Sequence, residues 1–594
     1  MAAPPICKLP LEGILTTKCF DITQYAIPCR YRLLSCAAFV KNKELEILEF
    51  TDFPTVKYTA VSYVWKGNIP NANFHDQTFN VPVPDEKDGS PGNPGDPIGV
   101  DVLNQVCVAS MARGVHYLWL DRLCIMQMND EDKKWQIRQM HAIYLHCEIC
   151  IVVPGGIQCL VRLDEETQWI HRGWTLQEAV APSNVLILFS WRFGSCKAYA
   201  GDAEGDIDEI TAATSAVASL SFIVDSSTIG SIGVNFGDHR ELVRVKLLSS
   251  HPSDQVYNRE DHRIMSPNVG ALARIMSKDL NDDERHHSIW QSALMRTSSR
   301  PVDMVFSIMG LFGITLDTSR FEKEDRAKAT IELAREVMAK GGRATWLAAA
   351  FRIQPSRQIS TFPLFPRTSV SGKSYVKVEG GVQEISLLME NEYPIAQALV
   401  PMPKGCMDEK GYLTFSSKAI PIRPRSMDPQ RMSLDPRNPA YFQDVNDSWW
   451  ETQEDSVRME KKTFAVLIGY FVGYYPGGTP ATDSKNVRAA IIEEHAQDRF
   501  HVRTYLALSK ETKAWVKTWQ EQTFIVGGPL PDDIEDAGQG LPVVNNPRIQ
   551  RLNDTQGASC SITPSLKGIA YRRARWASPQ LQFEDRHLYV ARGN

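Results

Sequence analysis

The sequence predicts an α/β protein: an N-terminal parallel sheet flanked by helices, followed by a helical region and a β-rich C-terminal region. Three observations support this order. Short β-prone runs alternate with helical patterns between residues 55 and 195, which is typical of parallel sheets covered by helices. Residues 251–350 carry apolar side chains at helical spacing. From residue 358 onwards, β-prone runs such as Thr463–Val472 and Phe500–Leu508 are separated by proline and glycine.

The elements between residues 55 and 195 alternate in order. The predicted strands are Thr59–Val64, His116–Leu120, Ile149–Val153 and Asn184–Phe189. The predicted helices are Asp101–Arg113, a helix that opens at Asn129 or Asp130, and Gly173–Val180. Residues 68–99 are rich in asparagine, proline, glycine and aspartate. We therefore expect a long, exposed and mobile loop there, near the carboxyl edge of the sheet.

The flanking segments complete the predicted domain organisation. Residues 1–54 are an N-terminal extension with short strands, and residues 55–195 are the α/β domain. Residues 196–250 are rich in small and polar side chains and are predicted to be a linker that holds one helix at Glu209–Leu220. The helical region, residues 251–350, contains a well-defined helix at Asp325–Lys340. The role of the β-rich region, residues 358–594, does not follow from its sequence.

Length and charge limit the function classes. A chain of 594 residues with 43% hydrophobic and 23% charged residues is expected to fold into about two to four domains. The net charge is −5 and no run of five basic residues occurs, which argues against a nucleic-acid partner. The first residues lack the apolar core of a signal peptide, and the longest apolar run, Phe464 to Tyr475, is too short to span a membrane. We expect a cytoplasmic protein.

Three motifs in order carry a family resemblance: Tyr58–Trp65, Leu118–Gln127 and Arg172–Glu178. Together they resemble the HET (heterokaryon incompatibility) domain of filamentous fungi, over roughly residues 55–190. The segment Arg296–Gly310 resembles one found downstream of this domain in many mushroom-type (basidiomycete) members, and we expect it to serve packing and domain docking. The resemblance implies fungal non-self recognition, a form of innate immunity, that ends in programmed cell death.

HET domains are in turn distantly similar to TIR domains, which implies a TIR-like or flavodoxin-like parallel sheet. TIR domains that cleave NAD use one glutamate set four residues after a tryptophan. Trp174 and Glu178 reproduce this spacing, with Thr175 in place of the usual cysteine. The resemblance therefore implies that Glu178 is the catalytic residue of an NAD glycohydrolase, for which NAD is the substrate and no cofactor or metal is needed.

The candidate binding residues lie near the carboxyl ends of the predicted strands, where open α/β sheets bind ligands. Cleavage of the nicotinamide–ribose bond passes through an oxocarbenium-like state, which a carboxylate such as that of Glu178 stabilises. Tryptophans near this edge can stack on a base or on nicotinamide. The predicted substrate-binding residues are Ser62, Tyr63, Trp65, Asp121, Arg122 and Trp174.

Two other readings of the same residues stay open. In the first, the domain is a non-enzymatic scaffold that oligomerises and recruits partners. Glu178 then caps a helix or pairs with Arg172 or Arg122, Trp174 is a core residue, and Asp121 caps its turn. The expected partners are a second copy of the chain, bound through the HET domain, and an unknown protein or allelic incompatibility factor. In the second, the same edge belongs to an enzyme acting on another small molecule.

The cysteines offer one further motif. Cys147 and Cys150 have the CxxC spacing of zinc and redox sites. Because Cys150 falls within a predicted buried strand and no second pair completes a site, we interpret both as structural residues.

Overall fold

The computed structural model describes residues 4–69, 77–84, 95–236, 239–248, 267–278, 280–369, 372–378, 381–389, 395–398, 402–425, 441–453, 461–474, 487–508 and 510–529. It is a mixed α/β structure with a large sheet and several helices. The strands of the first half are β1 (Pro5–Pro10), β2 (Tyr31–Ser35), β3 (Glu44–Phe50), β4 (Tyr58–Tyr63), β5 (Thr78–Phe79), β6 (Ile98–Gly99), β7 (Tyr117–Trp119), β8 (Ile149–Val153), β9 (Val185–Ser190), β10 (Cys196–Ala200), β11 (Ala203–Thr211), β12 (Ser215–Ser219), β13 (Ser231–Phe236) and β14 (His239–Arg244). The helices of the same half are α1 (Leu11–Thr17), α2 (Val100–Met111), α3 (Asp121–Cys124), α4 (Asp130–His146), α5 (Thr175–Val180) and α6 (Leu220–Ile229).

Among the described residues, twelve strands form the first sheet, in the order β1-β3-β2-β7-β4-β8-β9-β12-β11-β10-β13-β14. Its centre consists of β7, β4, β8 and β9, and the neighbouring strands of this group pair in parallel. Strands β4 and β8 are buried at every position. Strands covered on both faces need near-continuous apolar side chains, which explains why both strands were recognisable in the sequence.

Helices cover both faces of this parallel centre. Successive side chains of β4 alternate between two core clusters, since Val61 belongs to one and Ala60 to the other. Met140 of α4 and Leu176 of α5 pack in the cluster of Ala60, whereas Leu103 of α2 packs in that of Val61. The strands and helices predicted between residues 55 and 195 are therefore present, with shifts at their ends.

Antiparallel strands extend the centre on both sides. On one side, β2 pairs with β7, and β3 and β1 follow. On the other side, β12 pairs with β9 along residues 215–219. The large sheet is therefore mixed, and its parallel part is the central portion.

The linker prediction for residues 196–250 is wrong for the residues that the structure describes there. These residues form β10 to β14 and α6, and the predicted helix at Glu209–Leu220 is replaced by the end of β11, by β12 and by the first residue of α6. The segment was predicted to be a linker because alanine and serine have a low intrinsic preference for strands. Pairing with β9 overrides that preference, and Ala216 and Ala218 are buried as a result.

The expected exposure of residues 68–99 is wrong for part of the segment. Within it, β5 pairs with β6, and Phe79, Val81 and Ile98 are buried. The predicted mobility concerns mainly residues 70–76 and 85–94, which lie outside the described residues.

The helical region packs against the cluster of Ala60. Its helices are α7 (Pro267–Met276), α8 (Asp282–Leu294), α9 (Asp303–Met309) and α10 (Arg326–Ala339). Helix α10 confirms the helix predicted at Asp325–Lys340. Helix α8 begins with a capping box, in which Asn281 and Glu284 satisfy each other's backbone amides. Buried residues of α9, among them Val305 and Phe306, join the same core as Leu176.

The last part of the described chain is β-rich, as predicted. A hairpin of β15 (Tyr375–Val378) and β16 (Gly381–Glu384) is followed by α11 (Ile385–Leu388) and, later, by α12 (Lys513–Thr518). The strands of a second, largely antiparallel sheet are β17 (Ile395–Ala398), β18 (Gly405–Met407), β19 (Tyr412–Arg425), β20 (Tyr441–Gln443), β21 (Trp449–Thr452), β22 (Thr463–Tyr474), β23 (Val487–Ala496), β24 (Arg499–Leu508) and β25 (Gln520–Gly527). Strands β22 and β24 confirm the two β-prone runs identified in the sequence.

Candidate functional site

The candidate residues lie where the parallel strands end. Ser62 and Tyr63 are the last residues of β4, and Asp121 follows β7 closely as the first residue of α3. Glu178 lies in α5, which precedes β9. Because neighbouring residues of a strand point to opposite faces, Ser62 and Tyr63 divide the site into two clusters at one edge of the sheet.

The first cluster contains Glu178, Ser62 and Trp169. The Ser62 hydroxyl donates a hydrogen bond to Oε2 of Glu178 at 2.6 Å, and the Trp169 indole N–H donates to the Ser62 oxygen at 2.8 Å. Glu178 is only 8% exposed, and Ser62 and Trp169 are fully buried. Burial raises the pKa of Glu178 to about 8, although the hydrogen bond from Ser62 favours the ionised form. The carboxyl group therefore exchanges its proton close to neutral pH.

The second cluster is built around Asp121. Its carboxylate accepts a hydrogen bond from the Tyr63 hydroxyl at 2.5 Å, one from the Trp65 indole N–H at 2.7 Å and one from the backbone N–H of Arg122 at 2.6 Å. Burial raises the pKa of Asp121, and these three hydrogen bonds work against the rise. The Gln127 side chain donates to the Asp121 carbonyl oxygen at 3.0 Å and holds the turn. Asp121 thus fixes the orientation of both aromatic side chains.

Arg122 joins the second cluster through its side chain. The guanidinium carbon lies 5.6 Å from the centre of the Trp65 ring, within the range of a cation–π contact. The residue is fully buried, and within the described part of the chain none of its three side-chain nitrogens has a hydrogen-bond partner.

The two clusters share one electrostatic environment. The Asp121 charge contributes to the raised pKa of Glu178, and the Glu178 charge contributes to the raised pKa of Tyr63, for which burial is the main cause. Burial lowers the pKa of Arg172, while the charges of Glu178, Asp303 and Asp121 oppose that change. Acidic and basic groups from both clusters are therefore close enough to influence one another's protonation.

The structure adds residues that the sequence did not single out. Arg296, at the end of α8, donates to the Thr175 hydroxyl at 2.8 Å and to the Arg172 carbonyl oxygen at 3.0 Å. Burial lowers the pKa of Arg296 to about 9, and the Glu178 charge partly offsets the effect. An arginine distant in sequence thus holds the first turn of α5, and no local pattern around Arg296 indicates this contact.

Trp174 is directed towards the helical region. Its indole N–H donates to Oδ2 of Asp303 at 3.3 Å, while Thr297 forms an isolated β-bridge with Arg172. The amide of Gly173 donates to the Thr297 carbonyl oxygen at 2.8 Å. The segment that was expected to serve docking, Arg296–Gly310, therefore contacts the loop that leads into α5.

The CxxC motif has the surroundings of a structural pair. Cys147 and Cys150 are both buried, and burial raises the pKa of Cys147 to about 12 and that of Cys150 well above its usual value. Such thiols are neutral at physiological pH. In the described ranges, no group of three or more histidine, cysteine or acidic residues has metal-binding geometry.

A groove of about 420 Å³ lies at the opposite, amino edge of the parallel strands. Its walls include Phe53, Lys57, His146 and Glu148. Neither Glu178 nor Asp121 lines this groove. Within the part of the chain that the structure describes, no helix has the length and apolar character needed to cross a membrane.

Comparison with known proteins gives one match. Residues 58–165 match the model of the family described as Heterokaryon incompatibility protein (HET). The matched range includes Ser62, Tyr63, Asp121 and Arg122 and ends before Glu178. No curated protein and no solved structure matches the chain. The chain therefore contains a heterokaryon incompatibility (HET) domain, matched over residues 58–165.

Proposed function

We propose that this protein acts in heterokaryon incompatibility, by signalling non-self recognition that ends in programmed cell death, and that its HET domain cleaves NAD. The family match supports the first part. The spacing of Trp174 and Glu178, which resembles that of NAD-cleaving TIR domains, supports the second. In chain order the central strands are arranged 2-1-3-4, which agrees with the flavodoxin-like order expected from a TIR-like sheet.

The observation that carries the proposal is the position of the Glu178 carboxyl group. It lies at the carboxyl edge of parallel strands, buried against Ser62, with a pKa raised to about 8. A carboxylate in a site of low dielectric constant stabilises a nearby developing cation far better than one in water. The cationic nicotinamide ring of NAD would itself favour the ionised form of Glu178.

The reaction divides into two steps. The bond between nicotinamide and the ribose carbon breaks and its electron pair leaves with neutral nicotinamide, while Glu178 faces the oxocarbenium-like ribose. Water then adds to that carbon and loses a proton, which leaves ADP-ribose.

The Asp121 cluster would position the substrate during these steps. A carboxylate has about four acceptor positions. Three hydrogen bonds already reach Asp121, so one position remains for a ribose hydroxyl. The half-buried ring of Trp65 offers a face for stacking.

The test measures nicotinamide release by the purified full chain incubated with NAD. Glu178→Gln keeps the volume but removes the charge, and it should lower the rate by about 10²–10³-fold and abolish cell killing. Glu148→Gln is a matched control, because Glu148 pairs with Lys57 on an exposed surface at the other edge of the sheet. Retention of nicotinamide release by a folded Glu178→Gln protein would exclude the catalytic role.

The burial of Glu178 also favours a second candidate, a signalling scaffold without chemistry. At 8% exposure the carboxyl group can be a structural partner of Ser62, and Arg296 holds the adjoining turn rigidly. The HET domain would then act by binding a second copy or another protein. This candidate predicts cell killing with unchanged cellular NAD, together with a change of oligomeric state on activation, measured by mass photometry.

A further inference from the structure

The side chain of Arg122 is a buried guanidinium whose nitrogens have no hydrogen-bond partner among the described residues. The residue is 0% exposed, and Nε, Nη1 and Nη2 all lack a hydrogen-bond partner among the described residues. Burying a charge without hydrogen bonds is strongly unfavourable, so native proteins pair such groups almost without exception. This arrangement therefore requires an explanation beyond packing.

The nearest carboxylate does not supply the missing partner. The Asp121 oxygens accept from Tyr63, from Trp65 and from the Arg122 backbone, whereas no hydrogen bond joins the carboxylate to the Arg122 guanidinium. The cation–π contact with Trp65 is worth much less than the desolvation of a guanidinium costs. The Arg122 charge favours the ionised form of Asp121, so the two groups interact, but the guanidinium nitrogens are left without a hydrogen-bond acceptor among the described residues.

The backbone of Gly95 lies directly beside the Arg122 nitrogens. Gly95 has a φ of +67°, and a Cβ atom there would lie 2.7 Å from Nη2 of Arg122 and 2.6 Å from the carbonyl oxygen of Val81. Glycine therefore allows the chain to approach the guanidinium closely. Trp65 and Asp121 of the same cluster are half-buried, so the cluster is in contact with solvent at these two residues.

We propose that the Arg122 guanidinium binds a phosphate group of the ligand, so that the site takes a nucleotide with a pyrophosphate rather than a nucleoside. The planar fork of arginine matches two phosphate oxygens, and a charge-assisted bidentate contact satisfies the nitrogens that now lack partners. This inference rests on the proposed function, because it assigns the cationic nicotinamide ribose to Glu178 and the anionic pyrophosphate to Arg122.

The experiment measures the thermal unfolding of the full chain with four probes: inorganic pyrophosphate, orthophosphate, ADP-ribose and adenosine. Wild type, Arg122→Gln and Arg113→Gln are compared. Arg113 is the matched control, since it lies beyond the C-terminal end of α2 and pairs with Asp208 on the surface. A ligand that binds the folded state raises its unfolding temperature by mass action.

In wild type and in Arg113→Gln, pyrophosphate and ADP-ribose should raise the unfolding temperature, whereas adenosine should not. A shift with orthophosphate equal to that with ADP-ribose would assign the site to the free anion and overturn the nucleotide assignment. Arg122→Gln should lose the shift and, without ligand, unfold at the same or a higher temperature, because it removes a buried guanidinium that has no hydrogen-bond partner among the described residues. Absence of any shift in wild type, or a full shift in Arg122→Gln, would overturn the proposal.

If Arg122→Gln does not fold, the same unfolding measurement on Arg122→Lys tests the phosphate contact. Lysine keeps the charge but loses the planar fork, so the pyrophosphate shift should shrink relative to wild type. A shift as large as that of wild type would exclude the bidentate contact.

Failure of this inference and failure of the proposed function give different results. If the protein cleaves NAD and Arg122→Gln leaves KM unchanged, the phosphate contact is wrong and the cleavage stands. The proposal expects KM for NAD to rise about tenfold to a hundredfold, the usual range for a lost charge-assisted hydrogen bond. If pyrophosphate binds through Arg122 and NAD is not cleaved, the anion site stands and the enzymatic role falls.

Discussion

Glu178 gives the site its clearest pH dependence at the scale of a single residue. Burial raises its folded-state pKa from 4.5 to about 8. Between these two values the folded protein binds a proton that the unfolded chain has released, so this group contributes stability at low pH that is lost as the pH rises towards 8. Glu178→Gln stays neutral throughout and lacks this loss.

We therefore predict that the stability of wild type relative to Glu178→Gln falls as the pH rises from about 4.5 to about 8, by an amount on the order of a few kcal/mol. Urea unfolding of both proteins across this pH range measures the difference. Asp121 and Asp303, whose pKa values are also raised by burial, are present in both proteins and largely cancel. A difference that stays constant with pH would show that Glu178 is ionised in the folded state throughout.

The pairing of β2 with the parallel centre depends on a buried ion pair, which belongs to the scale of elements. Nη1 of Arg32 lies 3.1 Å from Oδ2 of Asp132, and both side chains are fully buried. Asp132 also accepts hydrogen bonds from the backbone amides of Cys29 and Met126. One carboxylate at the start of α4 therefore holds the N-terminal extension and the turn after α3.

Asp132→Ala should destabilise the protein by about 3–5 kcal/mol, because it removes one of the two carboxylates that pair with the buried Arg32 and leaves two backbone amides without their acceptor. Asp130→Ala is the comparison, since Asp130 is exposed and pairs with Lys134 one turn along α4. That change should cost about 1 kcal/mol or less. Equal urea midpoints for the two variants would show that the buried pair contributes no more than the exposed one.

At the scale of the whole molecule, the HET domain and the helical region belong to one compact unit. Strands β2 and β12 pair with the two outer strands of the parallel centre, and α9 shares a core with α5. The described elements all fall within the unit Met1–Ile534. Removing the flanks exposes two strand edges and an apolar face.

We predict that a fragment of residues 55–195 does not fold cooperatively, whereas residues 1–534 do. Circular dichroism during heating distinguishes the two: the fragment should lack the sharp transition of the longer chain or should aggregate. A fragment that melts cooperatively at the temperature of the full chain would show that the flanking strands and helices are dispensable.

The sequence by itself determined the elements whose signals are local. Strands β4 and β8 are continuous apolar runs. Helix α4 is capped by Asn129 before an acidic first turn, and α10 has apolar residues at helical spacing. These patterns depend on the burial and the helical or strand periodicity of a few neighbouring residues. They can therefore be recognised without knowing which other elements pack against them. The same applies to the motifs Tyr58–Trp65 and Leu118–Gln127, which lie within the residues that match the HET family.

Only the tertiary structure decided how the residues of the site combine. The Ser62–Glu178 hydrogen bond joins residues 116 positions apart, and Arg296 reaches Thr175 across 121 positions. Small residues in β12 became strand because β9 offered a partner, which composition alone cannot reveal. The lack of hydrogen-bond partners for the Arg122 guanidinium among the described residues likewise depends on its neighbours, because the cost of a buried charge depends on which polar groups the fold brings within hydrogen-bonding distance.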